Sequence, residues 1–256
     1  MSDPIFVFDG VTMKFGGLTA LNDLSFEVAA GTIHALIGPN GAGKSTAFNC
    51  VSGFCRPQQG DIRFEGRSLS GLKSHQIPEI GVGRTFQNVE LFPELTVLEN
   101  VLVGNRSRIG RYIPFLPGFG RNAAERQAVR EAEELLEQAG LLAFRHTPAG
   151  KLDFGRQKTL DLARALACRP RILLLDEPAA GLRNREIKAL DDLIVDLCRR
   201  RGLTIVLVEH VMQLVMAVAD DITVLNFGQK IAAGKPAEIR SNPVVVGAYL
   251  GDGEDA

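Results

Sequence analysis

The sequence predicts an α/β fold with a mainly parallel sheet, an antiparallel β subdomain and an inserted helical subdomain. Short β-branched or Leu-rich runs alternate with longer helical patterns, which is typical of a parallel sheet covered by helices. A Gly-punctuated stretch at residues 5–28 indicates antiparallel strands, and the pattern of residues 96–168 is mainly helical. With 256 residues, the chain can bury a real core without a metal or disulfide.

Four runs have the composition of buried strands, because they are short and rich in Ile, Leu and Val. The first leads through a Gly-rich turn into a helix that we expect to begin near Lys44. Residues 5–28 and 61–64 are predicted to form antiparallel strands at an edge. The four buried strands are predicted at Ile33–Ile37, Ile172–Asp176, Thr204–Val208 and residues 222–225.

The helical subdomain is predicted at about residues 88–168. Residues 105–122 within it hold four arginines, three glycines and two prolines among apolar side chains, which favours a loop. We expect this loop to pack on its own domain, with contact to a partner or a membrane surface as the alternative. One helix of the subdomain should bury a face made of Ala124, Ala128, Ala132, Leu135 and Leu136.

Composition excludes several classes of protein. The 29 basic and 30 acidic residues give a net charge of −1, so nucleic acid is not an expected partner. The four cysteines form no C-x-x-C pair and resemble neither a zinc site nor a disulfide framework. We expect them to be buried thiols in a reducing cytosol.

Membrane attachment is expected only through a partner. Residues 1–25 lack the basic start and unbroken apolar stretch of a secretory signal, so the protein should stay inside the cell. The longest uncharged apolar runs are also far shorter than the roughly 20 residues needed to cross a bilayer.

A phosphate-binding motif follows the first predicted buried strand. Residues 38–45 fit G-x-x-x-x-G-K-[ST] and open a helix, where backbone N–H groups and the helix dipole favour anions. Lys44 should neutralise the β and γ phosphates, Ser45 should ligate Mg²⁺, and Thr46 should donate to the α phosphate. The expected ATP-binding residues here are Gly38, Pro39, Asn40, Gly41, Ala42, Gly43, Lys44, Ser45 and Thr46.

Two carboxylates end the strand Ile172–Asp176, at the sheet edge where open α/β folds bind ligands. Asp176 should hold Mg²⁺ through its water shell, and Glu177 should polarise the attacking water. Gln87 follows a short strand and could reach Mg²⁺ or the water with its amide. His210 follows another strand and could contact the γ phosphate. Together these motifs predict a P-loop NTPase core.

Residues 152–157, Leu-Asp-Phe-Gly-Arg-Gln, lie between Gln87 and Asp176 in the sequence. With its motifs in this order, the chain resembles an ABC transporter nucleotide-binding subunit over nearly its whole length. The resemblance implies one ATPase domain at residues 5–251 and a disordered tail at residues 252–256. It also implies that two ATP molecules are sandwiched in a head-to-tail subunit dimer. Phe15 would then stack on adenine, and the partner's γ phosphate would be capped by Asp153, Gly155 and Gln157.

Residues 37–45, 84–88, 91–92, 176–182 and 208–216 are similar in sequence to those of the ATPases of branched-chain amino acid importers. Such a resemblance implies two permease subunits, a second and different ATPase subunit, and a periplasmic solute-binding protein that acts indirectly. A heterodimer is therefore expected ahead of a homodimer, at the cytoplasmic face of the inner membrane. Exporter ATPases remain an alternative within the family.

Two positions depart from the family pattern: Asp153 replaces the usual Ser, and Arg183 replaces the usual Asp or Asn. Asp is as good a helix N-cap as Ser. Its negative charge, however, should weaken the ATP sandwich unless Arg156 or Arg183 compensates for it. Without compensation, we expect asymmetric ATP sites in a heterodimer and little self-association of this chain.

Two other classes fit the sequence poorly. A DNA-repair ATPase of the family would carry a long heptad segment, and a translation factor would carry two cassettes; neither feature occurs here. A small-molecule P-loop kinase would need an acceptor pocket and lid where this chain has residues 152–157 and His210.

Overall fold

The computed structural model describes residues 4–105 and 123–250, and within them the strands form two sheets. The larger sheet has the order β10-β9-β3-β8-β7-β6. Strands β6, β7, β8, β3 and β9 run parallel to their neighbours, and β10 pairs antiparallel with β9 at one edge. The strands are β3 (Ile33–Ile37), β6 (Val82–Arg84), β7 (Ile172–Asp176), β8 (Thr204–Val208), β9 (Asp221–Asn226) and β10 (Gln229–Gly234).

The mainly parallel sheet is therefore confirmed, and three of the four predicted buried strands have the predicted bounds. The fourth, predicted at residues 222–225, extends by one residue at each end. Every residue of β3, β7 and β8 is buried, which explains why these strands read as continuous apolar runs rather than alternating ones.

The N-terminal strands are antiparallel, and the predicted antiparallel β subdomain is confirmed. They form a separate sheet in the order β2-β1-β4-β5, because β1 pairs with strands on both of its sides. The strands are β1 (Phe6–Phe15), β2 (Leu18–Val28), β4 (Gln59–Phe64) and β5 (Arg67–Ser68).

Helices cover both faces of the main sheet. Helix α1 packs between the two sheets, in a core that joins Phe8 and Leu24 to Phe48 and Leu174. Helix α5 covers the opposite face through Ile194 and its neighbours. The helices are α1 (Lys44–Val51), α2 (Val97–Gly104), α3 (Ala123–Gln138), α4 (Phe154–Leu166), α5 (Asn184–Arg201), α6 (Met212–Val218), α7 (Pro236–Ser241) and α8 (Pro243–Leu250).

Helices α2, α3 and α4 share a core of their own, which contains Val101, Ala132 and Leu160. The expected apolar face of α3 is correct except at Ala124, which is exposed. Steps of four residues drift by about 40° around a helix of 3.6 residues per turn, so position 125 continues the buried stripe instead. The subdomain bounds of 88–168 stay a prediction. The loop predicted after Asn105 and the tail at residues 252–256 lie outside the described residues.

The cysteines are all free thiols, as expected, but the prediction that all four are buried is wrong for two of them. Cys50 and Cys198 are buried, whereas Cys55 and Cys168 are half-buried. Cys50 and Cys55 lie at and just beyond the end of α1, with their Sγ atoms 3.4 Å apart. Within the described parts of the chain, no helix has both the length and the apolar character needed to cross a membrane.

Candidate active site

The phosphate loop, residues 38–43, connects the end of β3 to the start of α1. Two of its glycines are required by close approach as well as by conformation. Gly38 has φ +154° and Gly43 has φ +103°, and a Cβ atom would lie 2.2 Å from the Leu225 carbonyl oxygen at Gly38 and 2.5 Å from the Ala20 carbonyl oxygen at Gly43. Any side chain there would displace backbone, so the shape of the loop is fixed by its packing.

Lys44 is the first residue of α1 and is only 7% exposed. Its ammonium group donates to the carbonyl oxygens of Gly38 at 2.7 Å and Pro39 at 2.8 Å. Burial lowers the pKa of Lys44, while the carboxylates of Glu177 and Asp176 oppose that change. The Lys44 ammonium therefore lies over the phosphate loop, and both carboxylates are near enough to raise its pKa.

Asp176 ends β7 and is nearly buried. Its Oδ2 accepts a hydrogen bond of 2.9 Å from Nη2 of Arg84, and its Oδ1 is buried with no hydrogen-bond partner in the described structure. Burial raises the pKa of Asp176, and Arg84 opposes the rise. A buried, unpartnered carboxylate oxygen suits a hard divalent cation, which prefers oxygen ligands. Ser45 is exposed in the first turn of α1.

Arg84 was not recognised as a site residue from sequence, although it lies three residues before Gln87. It also donates to Oδ1 of Asn49 at 3.0 Å and to Oγ of Ser52 at 2.8 Å, which joins β6 to α1. Its guanidinium lies over three phenylalanine rings, the nearest being Phe86 at 5.0 Å from the ring centroid. Because β6 has only three residues, no pattern in the sequence indicates that its last side chain reaches Asp176.

Glu177, Gln87 and His210 lie close together in the structure. Nε2 of Gln87 donates to Oε2 of Glu177 at 2.8 Å. Nδ1 of His210 lies 3.8 Å from the same oxygen. Glu177 has φ +47°, in the left-handed region that non-glycine residues rarely adopt. Three separate connections, after β6, β7 and β8, thus meet at one carboxylate oxygen.

Two further residues hold this site, and sequence reasoning missed both. Glu209 is fully buried and accepts from the backbone N–H groups of Ala179 at 2.7 Å, His210 at 2.8 Å and Val211 at 3.0 Å. Lys158 in α4 donates to the Glu177 carbonyl oxygen at 2.9 Å. The position of Glu209, directly after a buried strand, could have indicated its role, whereas Lys158 follows residues 152–157 and is part of no motif.

The signature turn, residues 152–157, lies at the start of α4. Asp153 is the N-cap: its Oδ1 accepts from the backbone N–H of Arg156 at 2.9 Å, and its Oδ2 pairs with the Arg156 guanidinium. That guanidinium lies 4.6 Å from the ring centroid of Phe144. Of the two candidate cations, Arg156 pairs with Asp153, whereas Arg183 is exposed and makes no ion pair within the described residues.

The other two signature residues, Gln157 and Gly155, have different surroundings. Nε2 of Gln157 turns inward and donates to the Leu152 carbonyl oxygen at 3.0 Å. Gly155 lies against Glu186, whose Oε1 would be 2.8 Å from a Cβ atom at that position. The described hydrogen bonds of the signature turn join it to its own helix and turn, not to residues 38–46 of the same chain.

Phe15 is half exposed at the end of β1, so it is not a core residue. It pairs with Leu18 across the β1–β2 hairpin, and Ala20 and Leu21 in the same hairpin contact the phosphate loop at Gly43. An exposed aromatic ring close to the loop is compatible with stacking on a nucleotide base.

Comparison with known sequences identifies relatives over nearly the whole chain. The profile of the ABC transporter family matches residues 21–180, and that of the branched-chain amino acid ATP-binding cassette transporter matches residues 229–255. The chain is 46% identical to the high-affinity branched-chain amino acid transport ATP-binding protein BraF of Pseudomonas aeruginosa and 45% identical to LivG of Escherichia coli K12. Each alignment covers 98% of this chain and 100% of the relative.

Comparison with solved structures agrees. The ADP conformation of an ATP-binding cassette of an ABC transporter matches with a TM-score of 0.86 at 29% identity, covering 98% of this chain and 100% of the other. A dimeric cassette in a post-hydrolysis state, bound to ADP and Pi, matches with a TM-score of 0.76 at 27% identity, covering 90% and 98%. The predicted P-loop NTPase fold is confirmed, and this chain belongs to the ABC transporter family as one of its ATP-hydrolysing subunits.

Proposed function

We propose that this chain hydrolyses MgATP to power an importer of branched-chain amino acids or a related small solute. The observation that carries the proposal is the meeting of Gln87 and His210 at the Glu177 carboxylate, next to a phosphate loop with a buried lysine. The solute class rests on the names of relatives that align with 98% of this chain. Selectivity among solutes would reside in partner proteins.

Nucleotide binding would use groups that are already oriented. Phosphate oxygens would accept from the backbone N–H groups of residues 38–46, and Lys44 would exchange its two carbonyl partners for the β and γ phosphates. Phe15 would stack on adenine. Mg²⁺ would be held by Ser45, by Asp176 through water and by Gln87, and when bound it would neutralise charge on the phosphates.

Hydrolysis requires a water oxygen to attack the γ phosphorus while the bond to the β–γ bridging oxygen breaks. Glu177 would orient that water and accept its proton, as a general base. The Gln87 amide fixes one carboxylate oxygen of Glu177, and His210, close to the same oxygen, would contact the γ phosphate. The chain therefore contributes mostly positioning and electrostatic stabilisation, which is what phosphoryl transfer demands.

A second ATPase subunit would complete each site. Asp153, Phe154 and Arg156 are exposed, and their contacts stay within the start of α4 and its surroundings. Such a turn is available to cap a nucleotide held by another subunit. We propose a heterodimer with a related ATPase, although a homodimer has the same geometry, docked on permease subunits at the cytoplasmic face of the inner membrane. A periplasmic solute-binding protein would act indirectly, through the permeases.

The Asp153–Arg156 pair changes what we expect at the interface between the two ATPase subunits, which we call the dimer seam. An uncompensated carboxylate would repel the partner's phosphates, but the neighbouring guanidinium offsets that charge within the same turn. We therefore propose that the pair rewires this seam and that the two ATP sites are not strongly asymmetric.

Reconstituted transport tests the proposed function. The chain would be assembled with its permease and binding-protein partners in vesicles, and uptake of labelled leucine would be followed with ATP inside or outside. We expect ATP-dependent uptake by the unaltered complex and none with Lys44→Ala. ATP hydrolysis without amino acid uptake in the complete complex would contradict the solute class, and absence of hydrolysis would contradict the site.

A further inference from the structure

The backbone of Glu177 must be held against its own conformational preference. A left-handed conformation costs a non-glycine residue stability, so its surroundings must supply compensating contacts. Its N–H donates to the Val208 carbonyl oxygen at 2.9 Å. Its carbonyl oxygen accepts from the N–H of Ala180 at 3.2 Å and from Nζ of Lys158 at 2.9 Å. Lys158 is the side chain in this set, and it comes from a different element.

Lys158 belongs to the second turn of α4, shortly after Asp153. It is half-buried, and its ammonium lies 5.7 Å from the ring centroid of Phe154. Burial lowers the pKa of Lys158, while Glu209, Asp161, Glu177 and Asp176 oppose the change. A cation in this acidic surrounding can donate strongly to a carbonyl oxygen without creating an unpaired buried charge.

We propose that Lys158 is a positioning residue for hydrolysis, which holds Glu177 in its left-handed conformation and links it to the helix of the signature turn. The inference rests on the proposed function, in which Glu177 is the general base and the signature turn faces the partner's ATP. The start of α4 would then sense the nucleotide at one site, and Lys158 would convey the position of that helix to the carboxylate of the other site.

The decisive comparison is Lys158→Met with Lys158→Arg in the assembled transporter. Methionine retains an apolar stem but cannot donate, whereas arginine keeps a cationic donor. Lys158→Met should lower kcat about tenfold while ATP affinity stays within about twofold, because the phosphate loop is untouched. Lys158→Arg should recover most of the rate. Lys188→Met removes the same charge from an exposed position on α5 and should leave both quantities unchanged.

Two further measurements separate positioning from mere stability. In a Glu177→Gln background, adding Lys158→Met should cause no additional loss, because both changes act through one carboxylate. The dependence of hydrolysis on ATP concentration should be cooperative in the unaltered dimer, and Lys158→Met should lower its Hill coefficient towards 1.

Thermal unfolding of each variant shows whether it is folded. If Lys158→Met does not fold, Lys158→Gln, which keeps a neutral donor and should lose part of the rate, replaces it.

The proposal is overturned if Lys158→Met keeps the original kcat, if Lys158→Arg is no better than methionine, or if the loss adds fully to that of Glu177→Gln. An unchanged Hill coefficient would overturn the link between the sites. These failures differ from failure of the proposed function, which would appear as normal turnover by Glu177→Gln itself.

Discussion

The phosphate loop and the signature turn both open a helix, yet their surroundings differ. The loop is pressed against the backbone at Gly38 and Gly43, and its Lys44 is 7% exposed with two carbonyl partners. The signature turn is exposed at Asp153 and Arg156, which pair with each other. A site whose shape is set by its own backbone can be nearly complete in one subunit. A turn whose polar groups pair only with residues of the same turn leaves its outer surface available to a second molecule.

The largest effect on stability is expected from Arg84→Met, next to the phosphate loop, and it tests whether this region is more rigid than the signature turn. Because the partner Asp176 is only 3% exposed, losing the pair should reduce the free energy of unfolding by about 3–5 kcal/mol in urea titrations. The loss should shrink at low pH, since burial already raises the pKa of Asp176 and protonation removes the uncompensated charge. Arg63→Met is the control, because its pair with Asp9 is exposed and should contribute less than about 1 kcal/mol. Equal losses from both variants would contradict a rigid loop region.

Glu177→Gln should retain ATP binding while hydrolysis falls by about 100-fold or more, because the general base is lost. Steady-state phosphate release and equilibrium ATP titration measure the two quantities. Glu134→Gln, on the exposed surface of α3, removes the same charge and should change neither. Normal turnover by Glu177→Gln would move the base to another group, with His210 the next candidate.

Lys44→Ala should weaken ATP binding by about 10- to 100-fold, since charge-assisted contacts to the β and γ phosphates are lost. Calorimetric titration of the isolated subunit suffices, because the loop is built from one chain. The exposed Lys188→Ala provides the matched control. Unchanged affinity would mean that ATP is bound elsewhere.

Arg156→Ala, in the signature turn, should have the smallest effect on the subunit alone. Its pair with Asp153 is about half exposed, so unfolding should change by less than about 1 kcal/mol. ATP-driven association in a Glu177→Gln background, followed by light scattering, should nevertheless weaken several-fold because Asp153 would face phosphate uncompensated. Adding Asp153→Ser should restore it. Stronger association after Arg156→Ala would show that the guanidinium, not the carboxylate, obstructs the seam.

The parts of the molecule that sequence predicted well are those encoded locally. The strands Ile33–Ile37 and Ile172–Asp176 are continuous apolar runs, and the phosphate motif needs only a strand, a glycine-rich turn and a helix. The pairing of Asp153 with Arg156 was also within reach, because residues three apart on a helix are neighbours. The roles of the site residues remain predictions that the variants above test.

Contacts between distant segments were harder to predict. The Arg84–Asp176 pair depends on β6 lying beside β7, and Lys158 reaches Glu177 from another helix. The order of strands in the antiparallel sheet could not be predicted for a related reason, since alternation within a strand does not reveal which strands it pairs with. At Ala124, the helix was predicted correctly but the angular drift of a four-residue repeat was neglected.

The fully buried Glu209 has a mechanical consequence. One rigid carboxylate accepts from Ala179, in the segment after β7, and from His210 and Val211, after β8. The two segments are thereby linked, because moving one away from the other would leave buried amide donors without an acceptor. We therefore expect His210 and the residues that follow Glu177 to shift together, so that a displacement of one segment favours a displacement of the other.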